Sequence, residues 1–90
     1  MELVMSIVSH TISPQNGDAR LRGTLDSGQI INIIISHEAI FDFLMGMDEG
    51  KVSAAEALEW NWDAFKPRIE LAISLHGHGI QTITTQMLNP

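Results

Sequence analysis

Four histidines carry most of the chemical potential of this chain: His10, His37, His76 and His78. Imidazole binds metals and exchanges protons near neutral pH. His76-Gly77-His78 is the one pair close in sequence, and two ligands on a glycine turn could hold a metal if His37 or an acid such as Glu38 joined them. A catalytic zinc site needs three protein ligands, and no His-Glu-x-x-His spacing occurs here. The competing reading of His76 and His78 is a helix C-terminus, where imidazoles meet the last carbonyls and the negative end of the dipole. A small metal binder or enzyme built on His37, His76 and His78 is therefore the alternative reading, and no metal site or cofactor is assigned.

Other reactive groupings are weaker. There is no cysteine, so disulfides, thiolate metal sites and a thiol nucleophile are excluded. No serine stands in a Gly-x-Ser-x-Gly elbow, and Gly77-His78-Gly79 is a lone helix stop rather than a phosphate-binding loop. The carboxylates Glu56, Glu59 and Asp63 are spaced as neighbours on a helix surface, whereas glycoside hydrolysis needs two carboxyls facing across a cleft. Asp48 and Glu49 lack the alternating oxygen ligands of a calcium loop. No catalytic residue emerges, and an enzyme is disfavoured.

Trp60-Asn61-Trp62 has a different kind of potential. Two residues two positions apart on a helix point about 200° from each other, so both indoles cannot enter one core. Trp62 is in phase with Leu58, Phe65 and Ile69; Trp60 is out of phase. Trp60 either packs at an edge under a loop or anchors a partner or second subunit, a role in which tryptophan is enriched.

The elements that position these residues follow from periodicity. Val4 to Ile12 is rich in β-branched residues and reads as a strand. Ser13 to Asp18 contains Asn-Gly and reads as a turn. Ala19 to Leu25 is a second strand, with Arg20, Arg22 and Thr24 on its polar face. Asp26-Ser27-Gly28 fits a three-residue hairpin loop into a third strand, Gln29 to Ile35. That strand has Ile31, Ile33 and Ile35 on one face and Ile30, Asn32 and Ile34 on the other. A strand covered on one side should alternate apolar with polar. Isoleucine on both sides means either double coverage, by the N-terminal segment or a loop, or a second molecule on the outer face. Ile30, Asn32, Ile34 and Trp60 are thus the candidate interface residues, and a homodimer is expected.

Ser36 can cap a helix over His37 to Met47, with Ile40, Phe41, Leu44 and Met47 on one face and Phe43 near its edge. Ser53 and Glu56 form a capping box before a long helical pattern. In it Leu58, Trp62, Phe65, Ile69, Ala72 and Leu75 or His76 share a face. Pro67 lies inside the pattern, so either the helix kinks there or one short helix ends near Trp62 and another starts near Lys66; the apolar face runs in phase across the proline, and a kinked or two-segment helix is expected rather than a clean break. Ile80 to Leu88 reads as a closing strand.

Ninety residues make one small domain, spanning 1–90. A chain of this size buries roughly 60–65% of its unfolded surface, so oligomerisation would help it. The net charge is −6 and uneven. Met1 to Ser36 has three acids and two bases, while His37 to His76 has eight acids and three bases. Nucleic acid is an unsuitable partner, because its binding rests on cations neutralising phosphates. No apolar run approaches the roughly 18–20 residues that span a bilayer, and the N-terminus lacks a basic leader, so a cytoplasmic protein without a membrane partner is expected.

The segment Ile35-Ser36-His37-Glu38-Ala39-Ile40, followed by Ala57-Leu58 and by Phe65, Arg68, Ile69 and Glu70, resembles a family of short bacterial proteins known as domain of unknown function 1488. The resemblance covers most of the chain and implies a small α+β fold; it brings no activity and no catalytic residues. Pro67 departs from the smooth helix of that pattern. The expected architecture is α+β, an antiparallel β-sheet in the order β-β-β-α-α-β with helices packed on one face. The expected role is a non-enzymatic protein-interaction module that self-associates, with a partner protein also possible through the acidic helix surface.

Overall fold

A computed structural model of the chain describes residues 6–47, 49–77 and 81–89. Three antiparallel strands come first: β1 (Ile7–Gln15), β2 (Asp18–Leu25) and β3 (Ile30–Ile35). Asn16 and Gly17 join β1 to β2 with φ of 51° and 89°, the double positive φ of a two-residue hairpin turn whose twist matches the strands. The turn is tighter than the expected Ser13–Asp18 stretch, so β1 runs through Pro14 to Gln15. An edge strand admits this proline. Gln15 and Asp18 flank the turn, the next pair, Pro14 and Ala19, falls at a position whose nitrogens point away from the partner, and the missing N–H leaves no gap in the ladder. Val4 and Met5 of the expected strand lie outside the described residues. Between β2 and β3, Gly28 has φ of 91° and its N–H donates to Leu25 O at 2.9 Å, closing the three-residue loop as expected.

A register shift between Ile7 and Ser9 bulges β1 toward β2. The Ser9 carbonyl then lies so close to Gly23 that a Cβ there would sit 2.5 Å from it. Gly23 is therefore glycine because a backbone approaches it, one of the few reasons to place glycine in a strand interior.

The helices follow: α1 (His37–Phe43), α2 (Ala54–Trp60) and α3 (Trp62–His76). Ser36 Oγ accepts from the Ala39 N–H at 3.1 Å, and the Ser53/Glu56 capping box forms in both directions. These serines start helices, as their spacing indicated. Helix α1 is shorter than expected. The chain leaves it at Leu44 and turns through Met45 and Gly46, with φ of 58° and 79°, so Met47 is 66% exposed instead of buried.

The long helical pattern is two helices, and the break falls at Asn61 rather than at Pro67. Asn61 belongs to both: its N–H and Nδ2 both reach Ala57 O, while its own carbonyl accepts from Ala64 and Phe65. Pro67 sits within α3, and Asp63, whose carbonyl loses the proline's donor, is exposed to water. Breaking at Asn61 turns Leu58, Phe65, Ile69, Ala72 and Ile73 inward together. Leu75 and His76, expected on that face, are exposed.

The last elements are β4 (Thr82–Ile83) and α4 (Thr85–Leu88). β4 pairs with β3 in parallel, because the helical layer carries the chain back across the sheet before it re-enters. The sheet is therefore mixed, in the order β1-β2-β3-β4, with three strands antiparallel as expected. Ile80 to Leu88 was expected to be one strand. Only two of its described residues pair with β3, and the chain then turns so that Leu88 is buried with the helices; Arg68 Nη1 holds Leu88 O at 2.7 Å. The fold is α+β with helices packed on one sheet face. Leu21, Leu25, Ile31, Ile33 and Ile35 of the sheet meet Ile40, Phe41, Leu58, Phe65, Ile69, Ile73, Ile83 and Leu88 in one core.

Candidate interaction surfaces

The histidines do not assemble. His10 points to the helix side, where its ring stacks on Trp62 with centroids 4.1 Å apart and planes 17° from parallel. His37 is half-buried against Phe41, its amide N–H donates to Asp18 Oδ1 at 2.8 Å, and its Nδ1 is 3.9 Å from Glu49 Oε2. His76 is exposed as the last residue of α3, at its negative dipole end. His78 lies outside the described residues. Among the described residues no three histidines or acids come together in a group that could hold a metal.

The most unusual polar group is one that spacing did not single out. Glu70 is 8% exposed, and its Oε2 accepts from the Ile7 N–H at 2.7 Å, from Lys66 Nζ at 2.7 Å and from Ser6 Oγ at 3.4 Å. A buried carboxylate is tolerated only when paired and hydrogen-bonded. Here it satisfies the amide left bare where β1 begins, tying the strand to α3. Lys66 four residues earlier was the local signal; the Ile7 amide is distant in sequence and could not be read. The residues beside Glu70 on α3 are likewise structural. Phe65 and Ile69 are fully buried, Arg68 holds α4, and Glu70 holds β1.

The candidate interface residues fall on two surfaces. Ile30, Asn32 and Ile34 share the sheet face opposite the helices, as alternation required. Among the described residues no helix lies on that face. Ile30 is 75% exposed, Asn32 is exposed and Ile34 is half-buried. Arg20 and Arg22 stand opposite Ile34 and Asn32 on β2. Arg20 is fixed by Gln15 Oε1 at 3.1 Å and Asn32 Oδ1 at 2.7 Å. Arg22 is exposed, and beside it a hollow of about 280 Å³ is lined by Ser9, Thr11, Thr24 and Ile30.

Trp60 is on the other side of the sheet. It is 66% exposed, so it does not pack under a loop among the described residues. It stands between two shallow hollows. One, of about 370 Å³, runs from Trp60 to Ile12 and Pro14 past Glu56 and Glu59. The other, of about 320 Å³, runs along Glu59, Trp62 and Asp63. Other apolar side chains are exposed, including Met45, Met47, Leu71 and Leu75. Isolated exposures of that kind are ordinary. Trp60 differs in standing between concave surfaces ringed by acids.

No family model matches the chain, and neither does any curated protein or any solved structure. No helix among the described residues is long and apolar enough to cross a membrane.

Proposed function

We propose that this chain is a non-enzymatic protein-interaction module that self-associates through the open face of its sheet, around Ile30, Asn32 and Ile34. One observation carries the reading: Ile30 is 75% exposed on a sheet face where no described helix packs. An uncovered isoleucine beside a half-buried one is unfavourable in water and is relieved by a partner surface, at about 25 cal/mol for each Å² of apolar area buried. Arg20 supports the same reading. Its guanidinium is held by Gln15 and Asn32, so part of the ordering that an interface demands is already done.

The test is native mass by light scattering across a tenfold or wider concentration range. A concentration-dependent mass above the monomer is expected, and Ile30→Lys should return the protein to a monomer with its circular dichroism unchanged. A monomer at every concentration, or an Ile30→Lys variant that assembles as before, would remove the sheet face from the account.

A further inference from the structure

We infer that the association is head-to-tail, with the open sheet face of one copy receiving the Trp60 ridge of the next. This rests on the self-association proposed above and specifies which surfaces meet. The sheet patch of Arg20, Arg22, Thr24, Ile30, Asn32 and Ile34 contains two cations, and the acid that alternates with them on β2, Asp18, stands at the strand end with its Oδ1 accepting from the His37 N–H. Neither salt bridge among the described residues uses Arg22. The Trp60 ridge has the opposite character. Glu56, Glu59 and Asp63 are all exposed around the indole, and no lysine or arginine lines either hollow beside it.

These two patches are complementary, and neither is complementary to itself. Stacking the sheet face on its own image would bring guanidiniums together with only Asp18, at the strand end and bonded to the His37 N–H, to offset them, and like charges brought together across an interface cost several kcal/mol. Stacking the ridge on itself would do the same with carboxylates. Ridge on sheet instead sets an indole against Ile30 and near a guanidinium, an arrangement that gains from apolar burial and from cation–π attraction. Glu59 and Asp63 then supply the acids that Arg22 lacks.

Position matters as much as charge. The sheet patch faces away from the helices, whereas Trp60 ends α2 on the helix side. Each copy therefore presents a donor surface and an acceptor surface on opposite sides. Such heterologous contacts build a ring if the rotation closes and an open chain if it does not.

Mixing two variants tests this. Ile30→Lys spoils the sheet patch and leaves the ridge intact; Trp60→Ser spoils the ridge and leaves the patch intact. Both side chains are exposed, so both variants should keep the native circular dichroism. Each alone should self-associate about tenfold or more weakly. Mixed in equal amounts, they retain one intact contact and should form a one-to-one complex of twice the monomer mass and nothing larger. In a charge pair, Arg22→Glu and Glu59→Arg should each associate weakly alone, but their mixture should assemble again beyond one-to-one, because both the parent contact and its charge-swapped counterpart are available, and the assembly should weaken as salt rises. If Trp60→Ser assembles like the parent, or the mixture shows no complex, the contact is not head-to-tail even though self-association stands. A parent chain that stays monomeric overturns both statements.

Discussion

On the helix side of the sheet, Leu21, Leu25, Ile31, Ile33 and Ile35 are all buried in one apolar cluster. On the other side, the alternate residues of the same strands are Asp18, Arg20, Arg22, Thr24, Ile30, Asn32 and Ile34, of which Asp18, Arg20, Thr24 and Ile34 are half-buried and the rest exposed. The closed face is specified by shape: side chains of fixed volume fill a space that the helices bound. The open face is specified by charge and hydrogen bonds, with Arg20 pinned across β1 and β3 and Arg22 left exposed. Isoleucine is common to both faces but has different work on each. Ile33 is locked by the core, whereas Ile30 meets water. A strand with apolar residues on both sides need not be covered twice within its own chain.

The comparison is broken most forcefully from the closed side. Phe65 is fully buried in the core and sits on Phe43 with ring centroids 4.4 Å apart. Phe65→Ala should cost about 3–5 kcal/mol of unfolding free energy, read from the midpoint shift in urea. Next comes the clip between the layers. Glu70→Ala leaves the Ile7 amide and the Lys66 ammonium without their acceptor, and should cost about 2–3 kcal/mol in the same assay. Amide exchange at Ile7 should rise with it; unchanged protection there would mean that β1 is held at its start by something other than Glu70. The open face should respond least. Ile30→Lys should change the stability of the monomer by no more than about 0.5 kcal/mol while abolishing association. A large loss of monomer stability in that variant would mean that Ile30 is already packed within its own chain, and the contrast between the faces would collapse.

Much of the fold was legible because it is local. Caps at Ser36 and Ser53, the Asn16-Gly17 turn, the Gly28 loop and the alternation along β3 each depend on residues within a few positions of one another. That Trp60 lies off the core face was legible in the same way, since two indoles two residues apart cannot face one core; that it is exposed rather than packed under a loop was not. Less legible were the elements whose ends depend on packing. Helix α1 stops at Phe43, although its apolar spacing continues to Met47. The segment after Thr84 is helical despite its threonines, because Leu88 is buried against the helical layer rather than paired along the sheet. Periodicity also reads through a break that preserves phase, so a first segment ending near Trp62 was legible only as one alternative, and its cause read as Pro67, whereas the break is at Asn61 and Pro67 lies within α3.

The amino-acid sequence by itself determined the first three strands, where the capped helices begin, and which isoleucines share a face, because turns, caps and periodicity act over a few residues. Only the tertiary structure decided that β4 enters parallel to β3, that Glu70 closes the start of β1 from the far end of the chain, and that His10 rests on Trp62. It alone decided as well that the Arg22–Ile30 patch and the acid-ringed Trp60 lie on opposite sides of the sheet. Those arrangements join residues widely separated along the chain, and a contact of that kind exists only once the intervening chain has folded to bring its two ends together.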